Sequence, residues 1–114
     1  MALPLNIFKT ITKLVPTDPV EVYTAPVGYT GVILLAQCTN TGNDSQDLTF
    51  LHQRTNNVGA AVTTRILKNF PIASTDTANL LAGKLVLESN DVVLISGSNA
   101  TDLEFILSIL ETLN

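Results

Sequence analysis

With 114 residues the chain has room for one ordinary domain and not comfortably for two. Hydrophobic residues make up 46% of it, enough for one packed core, which excludes bulk disorder. Six basic against ten acidic side chains give a net charge of -4, so the basic excess that tracks phosphates is missing and nucleic acid is not expected as a partner.

The first segment, Met1 to Val15, is interrupted by Pro4, Asn6, Lys9 and Lys13 and so does not read as a secretory leader. Two patterns compete within it. Ile7, Phe8, Ile11, Leu14 and Val15 fall at the spacing of one helical face with Lys9 and Lys13 opposite, whereas Leu3, Leu5 and Ile7 alternate like a strand. It either packs on its own domain or forms an arm that docks on a neighbouring subunit through Leu3, Leu5, Ile7, Phe8 and Ile11. Pro16 and Pro19 bracket Thr17 and Asp18 and break the pattern, giving an expected division into arm and hinge over 1–19 and a main domain over 20–114.

Beyond the hinge, short β-rich runs alternate with turn chemistry. Val20 to Thr24 is the first run, and Pro26 with Gly28 forms a tight turn before Val32 to Gln37. That second run is apolar at nearly every position, as a central strand covered on both faces or a tightly packed core strand would be. Thr39 to Gln46 reads as a hairpin loop, Leu48 to Gln53 as an alternating strand, and Asn56-Asn57-Val58-Gly59 as another loop. Val62 to Phe70 resumes the β-branched pattern, Ser74 to Asn79 is polar, and Leu85 to Leu87 and Val92 to Ile95 are short strands joined by the turn Glu88 to Asp91. In the last segment Thr101 to Glu104 has the form of a helix capping box, but Leu103, Phe105, Leu107 and Ile109 alternate, and a strand is expected. The result is an all-β chain: a two-layer antiparallel β-sandwich, jelly-roll or immunoglobulin-like, of seven to eight strands with an N-terminal arm.

Chemistry-bearing residues are sparse. His52 is alone in a strand, without an evident orienting carboxylate or nucleophile. Cys38 cannot form an internal disulfide, and with a single histidine it cannot complete a closed zinc site. Asp44 and Asp47 near Asn40 and Asn43 match no calcium loop, and Glu88, Asp91, Asp102 and Glu104 are expected on solvent-facing turns. Tyr23 and Tyr29 flank the Pro26 turn and would form a sugar-stacking patch if both were exposed. No catalytic residue, metal or cofactor is expected, and the longest apolar runs fall far short of the roughly 20 residues of a membrane helix.

The order Val22-Tyr23-Thr24-Ala25-Pro26-Val27-Gly28-Tyr29-Thr30-Gly31-Val32-Ile33-Leu34, then Asn40-Thr41-Gly42 and Leu48-Thr49-Phe50, resembles small virion proteins of tailed bacteriophages, with a cyanophage-like flavour. Leu67 to Ile72, Gly83 to Glu88 and Leu107 to Glu111 are similar to the same group, so the resemblance covers Val20 to Glu111. Asn90-Asp91 departs from the Gly-Asp that such chains often carry, a turn-compatible change. The resemblance implies a non-enzymatic structural protein of the virion, a capsid decoration or cement protein first and a neck, tail or fibre component second. Its partners would be other virion proteins, major capsid or neck and tail subunits, together with copies of itself. A carbohydrate-binding module for host recognition is the alternative of another class.

Overall fold

The computed structural model describes residues 6–55 and 58–114, so Leu3, Leu5 and the Asn56-Asn57 part of one expected loop lie outside the described residues. Within them the chain forms β1 (Asn6–Leu14), β2 (Val20–Thr24), β3 (Tyr29–Asn40), β4 (Gln46–Thr55), β5 (Ala61–Ile72), β6 (Thr77–Asn79), β7 (Leu85–Leu87), β8 (Val92–Gly97) and β9 (Leu103–Leu113). Sheet A has the order β1-β9-β3-β6, with β7 also on β3, and sheet B the order β2-β8-β4-β5. Every pairing is antiparallel.

The pairings obey one rule. β4 pairs with β5, β3 with β6 and β7, β2 with β8, and β1 with β9, so the chain is one long antiparallel ribbon with the β4–β5 hairpin at its tip. Rolling that ribbon until β3 meets β9 and β4 meets β8 produces two sheets, which is the jelly-roll solution to burying one face of each. The expected β-sandwich is therefore of the jelly-roll kind, with β6 and β7 sharing one strand position. The turns behave as their residues require: Gly28 takes φ 86° while the Tyr29 amide donates to the Pro26 carbonyl at 3.1 Å, and Asn90 takes φ 70° in the turn where the Asp91 amide meets Glu88 O at 3.0 Å.

The N-terminal segment takes one of its two expected forms, and two other elements differ from expectation. Asn6–Leu14 is a sheet strand bonded along β9 of its own chain, and Pro16 to Pro19 carries the chain from sheet A to sheet B. A nine-residue helix would be marginal, whereas the β-branched Thr10-Ile11-Thr12 suits the edge that β9 offers. The apolar stripe consequently divides: Ile11 packs on the core and Ile7 lies on the same inner face, while Phe8 points outward at 73% exposure. Thr77–Asn79, within the stretch read only as polar, pairs with β3, its short length and single apolar residue, Ala78, having hidden it. β3, in turn, is covered on one face only.

The core is filled from both sheets. Phe50 of β4 and Phe105 of β9 meet at 5.8 Å between ring centroids, tilted by 53°. The alternation Leu103, Phe105, Leu107, Ile109 is fully buried, each such side chain contributing about 1.5–3 kcal/mol, and β9 has strands on both sides, which defeats the capping-box alternative.

That inner row ends in Glu111, a carboxylate only 1% exposed. Left alone there it would cost several kcal/mol. The Tyr23 hydroxyl donates to Glu111 Oε2 at 2.5 Å from the opposite sheet, and Lys9 Nζ lies 3.2 Å from Oε1 and 3.3 Å from Oε2. Burial, and then the Glu111 carboxylate, push the Tyr23 phenol well above its ordinary range, so it remains a donor. Gly31 sits opposite Glu111 on β3 and leaves room for the ring: a Cβ there would be 3.2 Å from both Cε2 and Oη of Tyr23.

Replacing Glu111 by alanine is expected to lower stability by about 3 kcal/mol, because the Tyr23 hydroxyl loses its acceptor inside the core and Lys9 its counterion. Gly31→Ala, which displaces that ring without deleting the carboxylate, is expected to cost about 1–2 kcal/mol. Urea unfolding of both variants tests the ranking; equal or reversed losses would contradict the role assigned to Glu111.

Candidate functional site

Two surfaces carry the side chains that sequence reasoning singled out. The first is polar and lies where β4 passes the turn before β8. His52 and Arg54, two residues apart on one face of β4, both reach Asp91, which is only 2% exposed. His52 Nε2 lies 3.1 Å from Asp91 Oδ2, Arg54 Nε donates to Oδ1 at 2.9 Å, and the Glu88 amide donates to Oδ2 at 2.9 Å. Arg54 also bridges to Glu88, at 2.9 Å on the surface.

Asp91 is therefore not on the solvent-facing side of its turn, and His52 does have a carboxylate partner. Neither was visible in sequence, because the two residues are 39 positions apart and meet only when β4 pairs with β8. All the acceptor capacity of Asp91 faces side chains and a backbone amide of the same turn, which makes the cluster a brace between β4 and the 88–91 turn. Burial alone would raise its carboxyl; the hydrogen bonds from Arg54, His52 and the Glu88 amide outweigh this and hold it at about 2, below the ordinary 3.8.

The other candidates resolve into structural roles. Tyr23 points inward, so it forms no exposed pair with Tyr29. Cys38 is buried, and burial, assisted by the nearby Glu104 charge, pushes its thiol up to about 12, which keeps it an unreactive thiol. Asn40 donates to the Asp44 and Ile72 carbonyls at 2.8 and 2.9 Å and accepts from the Gly42 amide at 2.9 Å, so it ties the loop of Asp44 to β5.

The second surface is the outer face of sheet A. Register places Phe8 opposite Leu110, Leu110 opposite Val32, and Val32 opposite Val86, one apolar row across β1, β9, β3 and β7. Phe8 and Val86 at its ends are 73% and 56% exposed. A bulge between Ile33 and Leu35 then puts two successive leucines outside: Ile33 and Ala36 are buried, while Leu34 and Leu35 are about two-fifths exposed. Leu34 and Leu35 also line a shallow groove with Leu81, Ala82 and Lys84, where the chain between β6 and β7 leaves the edge of β3.

The apolar run from Val32 is thus not that of a strand covered on both faces; its outward residues are uncovered by this chain. Of the five residues expected to bind a partner, Phe8 lies on this face, Ile7 and Ile11 lie on the inner one, and Leu3 and Leu5 are outside the described residues.

No protein-family model and no curated protein matches the chain. Solved structures share its fold. A chain in the structure of Bacillus endospore appendages, a family of disulfide-linked pili, has a TM-score of 0.54 at 18% identity over 96% of this chain and 88% of that one. A chain of the acid-stable capsid of Helicobacter pylori bacteriophage KHP30 has a TM-score of 0.56 at 12% identity, covering 96% and 89%. A chain of the infectious bursal disease virus particle has a TM-score of 0.59 at 11% identity over 97% of this chain, which spans about a third (32%) of that chain's length. At such identities the likeness is one of fold: this is a jelly-roll β-domain of the kind present in capsid and pilus structures.

The Asp91 brace has a pH signature. Its folded value is depressed, so the stability it adds is complete above the unfolded value of 3.8 and is lost as pH falls toward about 2. The loss amounts to about 2 kcal/mol, and Asp91→Asn is expected to flatten it. Thermal unfolding of both proteins across this window provides the check, and parallel acid profiles would refute the brace.

Proposed function

We propose that the protein is a non-enzymatic virion structural protein of a tailed bacteriophage, a capsid decoration or cement protein that seats the outer face of sheet A on another virion subunit. The observation carrying this reading is the uncovered apolar row Phe8, Leu110, Val32 and Val86, continued by Leu34 and Leu35. Phe8 and Val86 are exposed, Leu110 and Val32 between them are half-buried, and such a row in register across four strands is suited to a partner surface. Phe8 is the anchor. The sequence resemblance over Val20 to Glu111 supports the virion setting, and the capsid likenesses support the fold that such a subunit needs. A neck or tail position would use the same face, and separate analysis of heads and tails distinguishes it from the shell.

Phe8→Asp combined with Val86→Asp changes only exposed positions and is expected to leave the domain folded while lowering its copy number in purified particles at least tenfold, since burying a phenylalanine contributes about 1.5–3 kcal/mol. Quantitative mass spectrometry of particles grown with each version measures this. Wild-type incorporation of the doubly charged variant would refute the docking face.

A further inference from the structure

Sheet B ends in two free edges of opposite character. β5 carries Arg65 and Lys68 and no carboxylate, whereas β2 carries Glu21, closely preceded by Asp18, and no basic residue; all four charged side chains are exposed. Along β5 the half nearest Ile72 has the devices that normally blunt an edge: register shifts opposite Leu48 to Leu51, Asn69 at φ 50°, and Pro71. The other half has none of them. Ala61 to Arg65 runs in unbroken register with Thr55 to Leu51, and all five residues are exposed.

The chain directions also agree. Four alternating antiparallel strands leave β2 and β5 running in opposite senses, so a neighbouring copy's β2 laid beside β5 continues the sheet antiparallel. The regular half of β5 and β2 are each five residues long, about 17 Å, with one register shift in β2 between Glu21 and Tyr23. Charge selects this pairing over its alternatives. β5 against β5, or β2 against β2, opposes like charges, while β5 against β2 opposes Arg65 and Lys68 to Asp18 and Glu21.

We infer that copies of this chain associate head to tail, the basic edge β5 of one copy adding antiparallel to the acidic edge β2 of the next. The contact is heterologous, so it closes into a ring or continues as an array. It uses neither the outer face of sheet A nor the virion reading, and Phe8→Asp leaves it unchanged.

Sedimentation velocity of the intact chain at low and high salt tests this. Wild-type protein is expected to self-associate at low salt and to dissociate as salt screens the edges. Arg65→Glu with Lys68→Glu, or Asp18→Lys with Glu21→Lys, weakens association about tenfold or more. An equimolar mixture of these two variants associates again, because one then has two acidic edges and the other two basic edges; a chain with all four reversals does so on its own. Far-ultraviolet circular dichroism confirms that each variant is folded. A wild-type protein that stays monomeric at low salt, or association unaffected by either reversal, overturns the inference. So does failure of the mixture to associate while both variants are folded.

Discussion

Glu111 faces three parts of the molecule at once. It belongs to β9, takes a proton donor from Tyr23 of the other sheet, and is neutralised by Lys9 of β1. Hydrophobic contact between the layers is non-directional and would tolerate a sliding of one sheet over the other. A short charge-assisted bond in a water-poor interior tolerates far less, since any shift leaves a carboxylate desolvated and unpaired. The position of Gly31 belongs to the same constraint, because a side chain there would crowd the ring that reaches across. One polar pair thus fixes the relative placement of sheets that the aliphatic core merely holds together.

The legible part of the sequence is local. The alternation from Leu103 to Ile109, the Pro26–Gly28 turn and the Glu88–Asp91 turn are written in residues within a few positions of one another, and each is present in the fold. The features that escape notice depend on residues far apart. The inward turn of Asp91 needs β4 beside it, and the burial of Tyr23 needs Glu111 at a separation of 88 residues. The bulge after Ile33 is the sharpest case. A single inserted residue reverses the facing of the positions beyond it, so an apolar run that resembles a doubly covered strand places Leu34 and Leu35 outside. Phe8 and Ile11, three apart, are neighbours on a helix and opposites on a strand, and only the β9 edge decides between them.

Polar and apolar residues have accordingly exchanged the places that composition assigns them. Of the residues suggestive of chemistry, His52, Asp91 and Tyr23 brace the scaffold from within, Tyr23 through Glu111. Those most suggestive of a core, Phe8, Val86, Leu34 and Leu35, lie on the outer surface of sheet A. Such an arrangement braces the domain from within and leaves apolar side chains on one outer face.

The ribbon topology also governs timing. Asn6 pairs with Thr112, so the first described strand has its partner almost the full length of the chain away, whereas β4 and β5 are joined by a short connection. On the ribosome the central hairpin can close while β1 and β2 wait, and β1 stays without its neighbour until β9 has emerged. Closure of the fold therefore hinges on its last strand, and until that moment a nascent chain leaves the β1 and β3 edges bare.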